Sequence, residues 1–214
     1  MMTTLLLIRH GQSVANLENV FAGHLDKPLT ELGLQQARLT AGFIKENFAV
    51  DAVYASDLAR AYVTGQATAD AFGLTVIPDA RLREIYGGKW EGANYLTLPD
   101  KYPEEFGTWL HNIGKARCPD GESTAELQVR LMEALGSIAR ENEGRTVAVA
   151  THACAIRSVM SYCRDRSVEH MHLVPWVSNA SVTVLEVEGE NFAIRQAGLE
   201  EHLVGFGSAF DKNV

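Results

Sequence analysis

Thr3-Thr4-Leu5-Leu6-Leu7-Ile8-Arg9-His10 and Thr146-Val147-Ala148-Val149-Ala150-Thr151-His152 decide the fold. Within them, residues 3–8 and 146–151 are short apolar and β-branched runs without polar alternation, the pattern of a strand buried on both faces. Each stretch ends at a histidine, although the two lie about 140 positions apart. Helix and strand patterns alternate throughout the chain, which favours a sheet covered by helices over a sandwich or a bundle.

Working outward from the first run, Pro28-Leu29-Thr30 opens a helix. Thr30 is placed to cap it, and Leu34, Ala37, Ala41, Ile44 and Phe48 recur at helical spacing. A strand is expected over residues 52–55, then Ser56 as the cap of a helix reaching Phe72, then a strand from Leu74 to Ile77 closed by Pro78. Residues 87–121 are irregular, broken by Pro99, Pro103 and Pro119 and dotted with Trp90, Tyr95, Tyr102, Phe106 and Trp109; they read as a part-helical lid. Ser123-x-x-Glu126 is a capping box for a helix to about Glu143. Another helix is expected from about Ala155 to Arg164, and a terminal hairpin from residues 181–187 and 192–196 joined through Gly189.

At 214 residues and 46% hydrophobic, the chain has the material for one core, and a single domain over 1–214 is expected. It contains neither an apolar run of about 18 residues nor a signal-peptide pattern, so the expectation is a cytoplasmic protein without a membrane partner. Cys118, Cys154 and Cys163 show no C-x-x-C spacing and read as reduced thiols. A net charge of -8 argues against a nucleic-acid partner, so any phosphate must be bound in a local pocket. Oligomeric state is not legible, and a homodimer stays open.

In open α/β sheets, ligands bind beyond the carboxyl ends of the strands, where Arg9, His10 and His152 fall. Arg60, one turn into the helix after residues 52–55, and Glu84, beyond the strand closed by Pro78, join them. Two guanidinium forks and a histidine match the oxygens of a phosphoryl dianion without a metal ion, and neither an acidic cluster nor spaced histidine ligands point to one. Neutral imidazole attacks phosphorus if its second nitrogen is tied to a carbonyl or carboxylate. A carboxyl at Glu84 then protonates the leaving oxygen and afterwards activates water. Singly, each residue has a plainer explanation: Arg60 as a solvated helix charge, Glu84 as a surface acid, His170-Met171-His172 as a packed loop.

Taken in order, the motifs resemble the histidine phosphatase superfamily over nearly the whole chain. Ile8-Arg9-His10-Gly11-Gln12-Ser13 through Asn16 is similar to its nucleophile motif, and Gly23 through Thr30, with Gly33, to its second signature. Ser56 through Ala61, Leu82 through Gly92, Pro119 through Ser123, and Thr151-His152-Ala153 complete the series. The resemblance implies a three-layer α/β/α sandwich around a mostly parallel sheet, like phosphoglycerate mutase. It implies His10 as nucleophile, Glu84 as proton donor, and Arg9, Arg60 and His152 as phosphate ligands, with Asn16, Gly23 and Ala153 as further phosphate-binding positions. Ala22 departs from a common glutamine, and Ala153-Cys154 from common glycines.

The expected activity is metal-independent hydrolysis of a small phosphorylated metabolite through phosphohistidine, without a cofactor. The alternatives are phosphoglycerate mutase-type transfer and a silent phospholigand-binding module. Mutases of the family carry a longer basic insertion after the acid segment, whereas only Lys101, Lys115 and Arg117 lie between Trp90 and Gly121 here.

Overall fold

The structure, a computed structural model, describes residues 1–207; residues 208–214 of the expected domain lie outside the described residues. In chain order the elements are β1 (Thr3–Arg9), α1 (Val14–Leu17), α2 (Glu31–Asn47), β2 (Ala52–Ala55), α3 (Ala59–Phe72), β3 (Val76–Pro78), α4 (Leu98–Lys101), α5 (Pro103–His111), α6 (Thr124–Glu141), β4 (Thr146–Thr151), α7 (Ala153–Asp165), β5 (Val182–Glu188) and β6 (Asn191–Leu199). One sheet takes the order β3-β2-β4-β1-β5-β6. β1, β2, β3 and β4 are parallel; β5 runs against β1 and pairs with β6 as the expected hairpin.

Successive side chains of a strand point to opposite faces, so the two buried runs feed two cores. Leu5, Leu7, Val147 and Val149 pack with α6, α7 and the aromatic residues of the 87–121 segment. Leu6, Ile8, Ala148 and Ala150 pack with Ile44 of α2 and Ala69 of α3. Each fully buried leucine or isoleucine here contributes roughly 1.5–3 kcal/mol by leaving water. The layers are therefore helix, sheet, helix.

Local signals set the helix starts. Thr30 accepts the Gly33 N–H at α2, and Ser123 and Glu126 form the reciprocal capping box of α6. At α3 the expectation fails: Leu58 is the N-cap and makes no side-chain bond, while Asp26 Oδ1 accepts the Ala59 N–H at 2.8 Å. Ser56, fully buried, is turned elsewhere. The 87–121 segment is part-helical, as expected, and Trp90 and Trp109 are buried in its aromatic cluster.

Strand register places the site. Ile8 of β1 and Ala55 of β2 both pair with Ala150 of β4, so β1 and β4 end level at Arg9 and Thr151 and β2 ends one residue short of them. His10, Ser56 and His152 consequently sit side by side on one edge, with His152 in the middle. Gly11 is required there: a Cβ on it would lie 2.4 Å from the Gly33 carbonyl oxygen, so only glycine lets the β1 exit press against the start of α2.

Candidate active site

Arg9 leaves β1 with its guanidinium buried and Nη1 donating to the Val177 carbonyl. His10 follows, 4% exposed, with Nδ1 at 2.7 Å from the Gly11 carbonyl oxygen. A carbonyl only accepts, so Nδ1 carries the proton and Nε2 keeps its lone pair. That is the tether the nucleophile role requires. Asn179 Nδ2 donates to the His10 carbonyl at 3.0 Å, and Thr64 Oγ1 accepts the Gly11 N–H, holding this backbone from both sides.

Arg60 is 1% exposed, which rules out the reading as a solvated helix charge. Its Nη1 and Nη2 donate to the carbonyls of Leu25 (3.0 Å) and Gly23 (2.8 Å). The second signature thus wraps the start of α3, with Asp26 capping the helix and two carbonyls aiming its arginine. Gly23 stands at φ +50, and a Cβ there would meet Glu91 Oε1 at 2.3 Å and Gly87 N at 2.8 Å, so no other residue fits.

Glu84 is half-buried and reaches the start of α7. Its Oε1 accepts the N–H of Ile85 (2.9 Å) and Ala155 (3.2 Å), and its Oε2 accepts that of Cys154 (3.1 Å). Ala153 opens α7, where the first N–H groups have no carbonyl one turn earlier to bond. Ala153 and Cys154 have no positive φ, so this turn does not call for glycine at either position. Asn16 spends its Oδ1 on Ser13 and Asn179, leaving its amide NH₂ as the donor end.

Arg9, His10, Asn16, Gly23, Arg60, Glu84 and Ala153 line one cleft of about 880 Å³, including its open mouth, a size suited to a small molecule. His152 does not line it. Fully buried beneath, its ring stands edge to face with His10, centroids 5.2 Å apart. Among the described residues, two nitrogens at this edge, Arg9 Nε and His152 Nδ1, are buried without a partner. Leaving each unpaired costs about 1–3 kcal/mol, which a ligand that accepts from them would recover. Tyr95 and Trp109 also wall the cleft, whereas Trp90 lies in the core. Among the described residues, His, Cys, Asp and Glu side chains do not gather into a group of three or more suited to a metal ion.

Several contributing residues gave no signal in the sequence. Trp176, Val177 and Ser178 line the cleft from the loop before β5, and Asn179 braces His10 and Asn16. His24 Nε2 lies 2.9 Å from the Glu84 carbonyl oxygen, and Arg130 donates to the carbonyls of Arg81, Arg83 and Glu84. Most of these bonds end on backbone carbonyls, which every residue type carries.

Burial, then Arg60 and then Arg9 hold His10 well below the ordinary imidazole range. Burial, Arg60 and His10 do the same to His152, and burial brings Arg9 down to about 10. Both rings are therefore neutral at neutral pH, His10 as a nucleophile needs to be. Below about pH 6.5 the unfolded chain takes up protons that these folded histidines refuse, so stability falls with pH, by up to about 1.4 kcal/mol per pH unit for each ring. Urea unfolding from pH 7 to 5 should show this slope, reduced in His10→Asn. Equal slopes would contradict the assignment.

The family model described as histidine phosphatase superfamily (branch 1) matches residues 5–199. The chain is 32% identical over 206 residues to phosphoserine phosphatase 1 of Hydrogenobacter thermophilus, covering 96% of each. It is 33% identical over 204 residues to phosphoglycerate mutase-like protein 4 of Arabidopsis thaliana, covering 93% of this chain and 86% of the other. The solved structure of Bacillus stearothermophilus YhfR superposes with a TM-score of 0.88 at 32% identity, covering 94% of this chain and 99% of that one. Fold, motif order and these matches agree, and the chain belongs to branch 1 of the histidine phosphatase superfamily.

Proposed function

We propose that the protein hydrolyses phosphomonoesters of small metabolites, with His10 as the phosphorus nucleophile and side-chain cations in place of a metal ion. The observation that carries this reading is the His10 tether: Nδ1–H bonded to Gly11 and Nε2 left as a lone pair in a cleft that also presents Arg9, Arg60 and Glu84. Nε2 attacks phosphorus, the ester P–O bond breaks, and the departing oxygen takes a proton from Glu84. Water then attacks the phosphohistidine and gives its proton to Glu84, while the N–P electrons return to His10 and phosphate leaves. Arg9 and Arg60, with the Ala153 N–H, hold the charge on the transferring group, and the Nδ1–H of His152, buried against the His10 ring, is reached only by a phosphoryl group seated at the floor of the cleft.

General acid catalysis supplies roughly 10²–10⁴, a small part of what phosphomonoester hydrolysis demands. The remainder falls to these fixed donors, already in place before substrate arrives.

The rest of the cleft favours hydrolysis over mutase transfer. A mutase holds a second acidic group, but among the described residues the only cations lining this cleft are Arg9 and Arg60, and its apolar and aromatic walls include Val20, Phe21, Tyr95, Trp109 and Trp176. Phosphate release from p-nitrophenyl phosphate in chelator, without isomerisation of 3-phosphoglycerate in the presence of bisphosphoglycerate, is the expected outcome. Isomerisation outpacing hydrolysis would assign a mutase, and neither activity a binding module. The apolar walls further predict that benzyl phosphate surpasses phosphoserine in kcat/KM by about tenfold, the worth of about 1.4 kcal/mol of extra burial. Steady-state rates on the pair decide this, and parity or the reverse order would contradict it.

A further inference from the structure

His152 is flanked on its strand edge by His10 on one side and Ser56 on the other, because β4 lies between β1 and β2, β1 ends level with it and β2 ends one residue short. Ser56 Oγ is 2.9 Å from His152 Nε2 and also accepts the Leu58 N–H at 3.4 Å. The serine is fully buried. Its hydroxyl proton needs an acceptor, and among the described residues the only one within hydrogen-bond distance is His152 Nε2. The serine therefore donates to Nε2, so in the neutral ring the proton sits on Nδ1, the buried nitrogen that has no partner among the described residues.

We propose that Ser56 is a positioning residue: it locks His152 in the Nδ1–H form, so that the ring meets a phosphoryl oxygen as a hydrogen-bond donor. The donation to phosphate rests on the phosphatase reading; the tautomer does not. Free imidazole side chains switch readily between two neutral forms, and with the proton on Nε2 the ring would present a lone pair to the anion and repel it. A serine in place of the expected helix cap fits this demand. Asp26 caps α3 instead, which leaves the hydroxyl free to face the ring.

The test is long-range ¹H–¹⁵N correlation on protein labelled at its histidines, with His152 assigned by the His152→Asn spectrum. In the wild type His152 should show a protonated Nδ1 and an unprotonated Nε2, and added inorganic phosphate should shift the Nδ1 proton. In Ser56→Ala the Nε2–H form should appear, with kcat on p-nitrophenyl phosphate reduced roughly 10- to 100-fold, by analogy with removing the orienting partner of a metal-bound histidine. Ser56→Thr, which keeps the hydroxyl, should restore the wild-type tautomer. A protonated Nε2 in the wild type, or an unchanged spectrum in folded Ser56→Ala, would overturn the proposal, and the wild-type spectrum decides even if the variants fold poorly. The expected tautomer in a protein that does not hydrolyse phosphomonoesters would uphold the serine's role and count only against the phosphatase reading.

Discussion

Replacing His10 with alanine is expected to lower kcat/KM on p-nitrophenyl phosphate by roughly 10⁴- to 10⁶-fold, the scale of losing a nucleophile from a site whose parts act together. Neither the thiol nor the Ser13 hydroxyl of the cleft replaces it. Among the described residues Cys154 is the only thiol lining it, and burial, then Glu84, push that thiol well above its ordinary range, so it stays protonated and inert. Ser13 caps α1, its oxygen accepting the Asn16 N–H and its hydroxyl donating to Asn16 Oδ1. Arg9 and Arg60 keep their carbonyl partners at Val177, Leu25 and Gly23 without the imidazole, so the variant should still bind inorganic phosphate. Circular dichroism and phosphate binding separate loss of chemistry from loss of fold. A residual rate within a hundredfold of wild type would assign the attack to another group.

Glu84→Gln should slow turnover by roughly 10²–10⁴ while leaving phosphate affinity largely intact. The amide can accept at one oxygen but not at the other, so the Cys154 N–H, now served by Glu84 Oε2, would face an NH₂ group. That mismatch costs about 1–3 kcal/mol of stability, to be read from unfolding and kept apart from the kinetic effect. Leaving-group dependence identifies the role. p-Nitrophenolate departs without help, so with p-nitrophenyl phosphate the variant should form phosphohistidine quickly and hydrolyse it slowly, giving a burst of p-nitrophenol. Benzyl phosphate needs a proton in the first step and should give no burst. Bursts with both substrates would remove Glu84 from leaving-group protonation.

Strands were legible because burial on both faces leaves a mark in composition: the run at residues 146–151 matches β4 at both ends, and the first run misses β1 only at Arg9. Helix starts were legible where a side chain does the capping, as at Thr30 and Ser123. At α3 the cap comes from Asp26, 33 positions upstream, and a local reading assigns it to the nearest serine. Register could not be read at all, yet register is what places Ser56, His152 and His10 in a row. Four of the five candidate side chains, Arg9, His10, Arg60 and Glu84, line one cleft, and they could be singled out because their types are chemically distinctive and their motifs ordered. The loop carrying Trp176, Val177 and Asn179 could not be, since Arg9 uses a backbone oxygen there and Asn179 acts through another backbone carbonyl. His152 was placed at the right strand end, but its burial beneath the cleft follows only from β4 being central.

Rapid mixing with ³²P-labelled substrate, an alkaline quench and peptide mapping tests most directly whether these side chains converge on one phosphoryl group. The label should be acid-labile and alkali-stable, and should reside on His10 as Nε2-phosphohistidine, because Nδ1 is committed to Gly11. Label on Nδ1, on another residue, or persisting in His10→Ala would contradict the account.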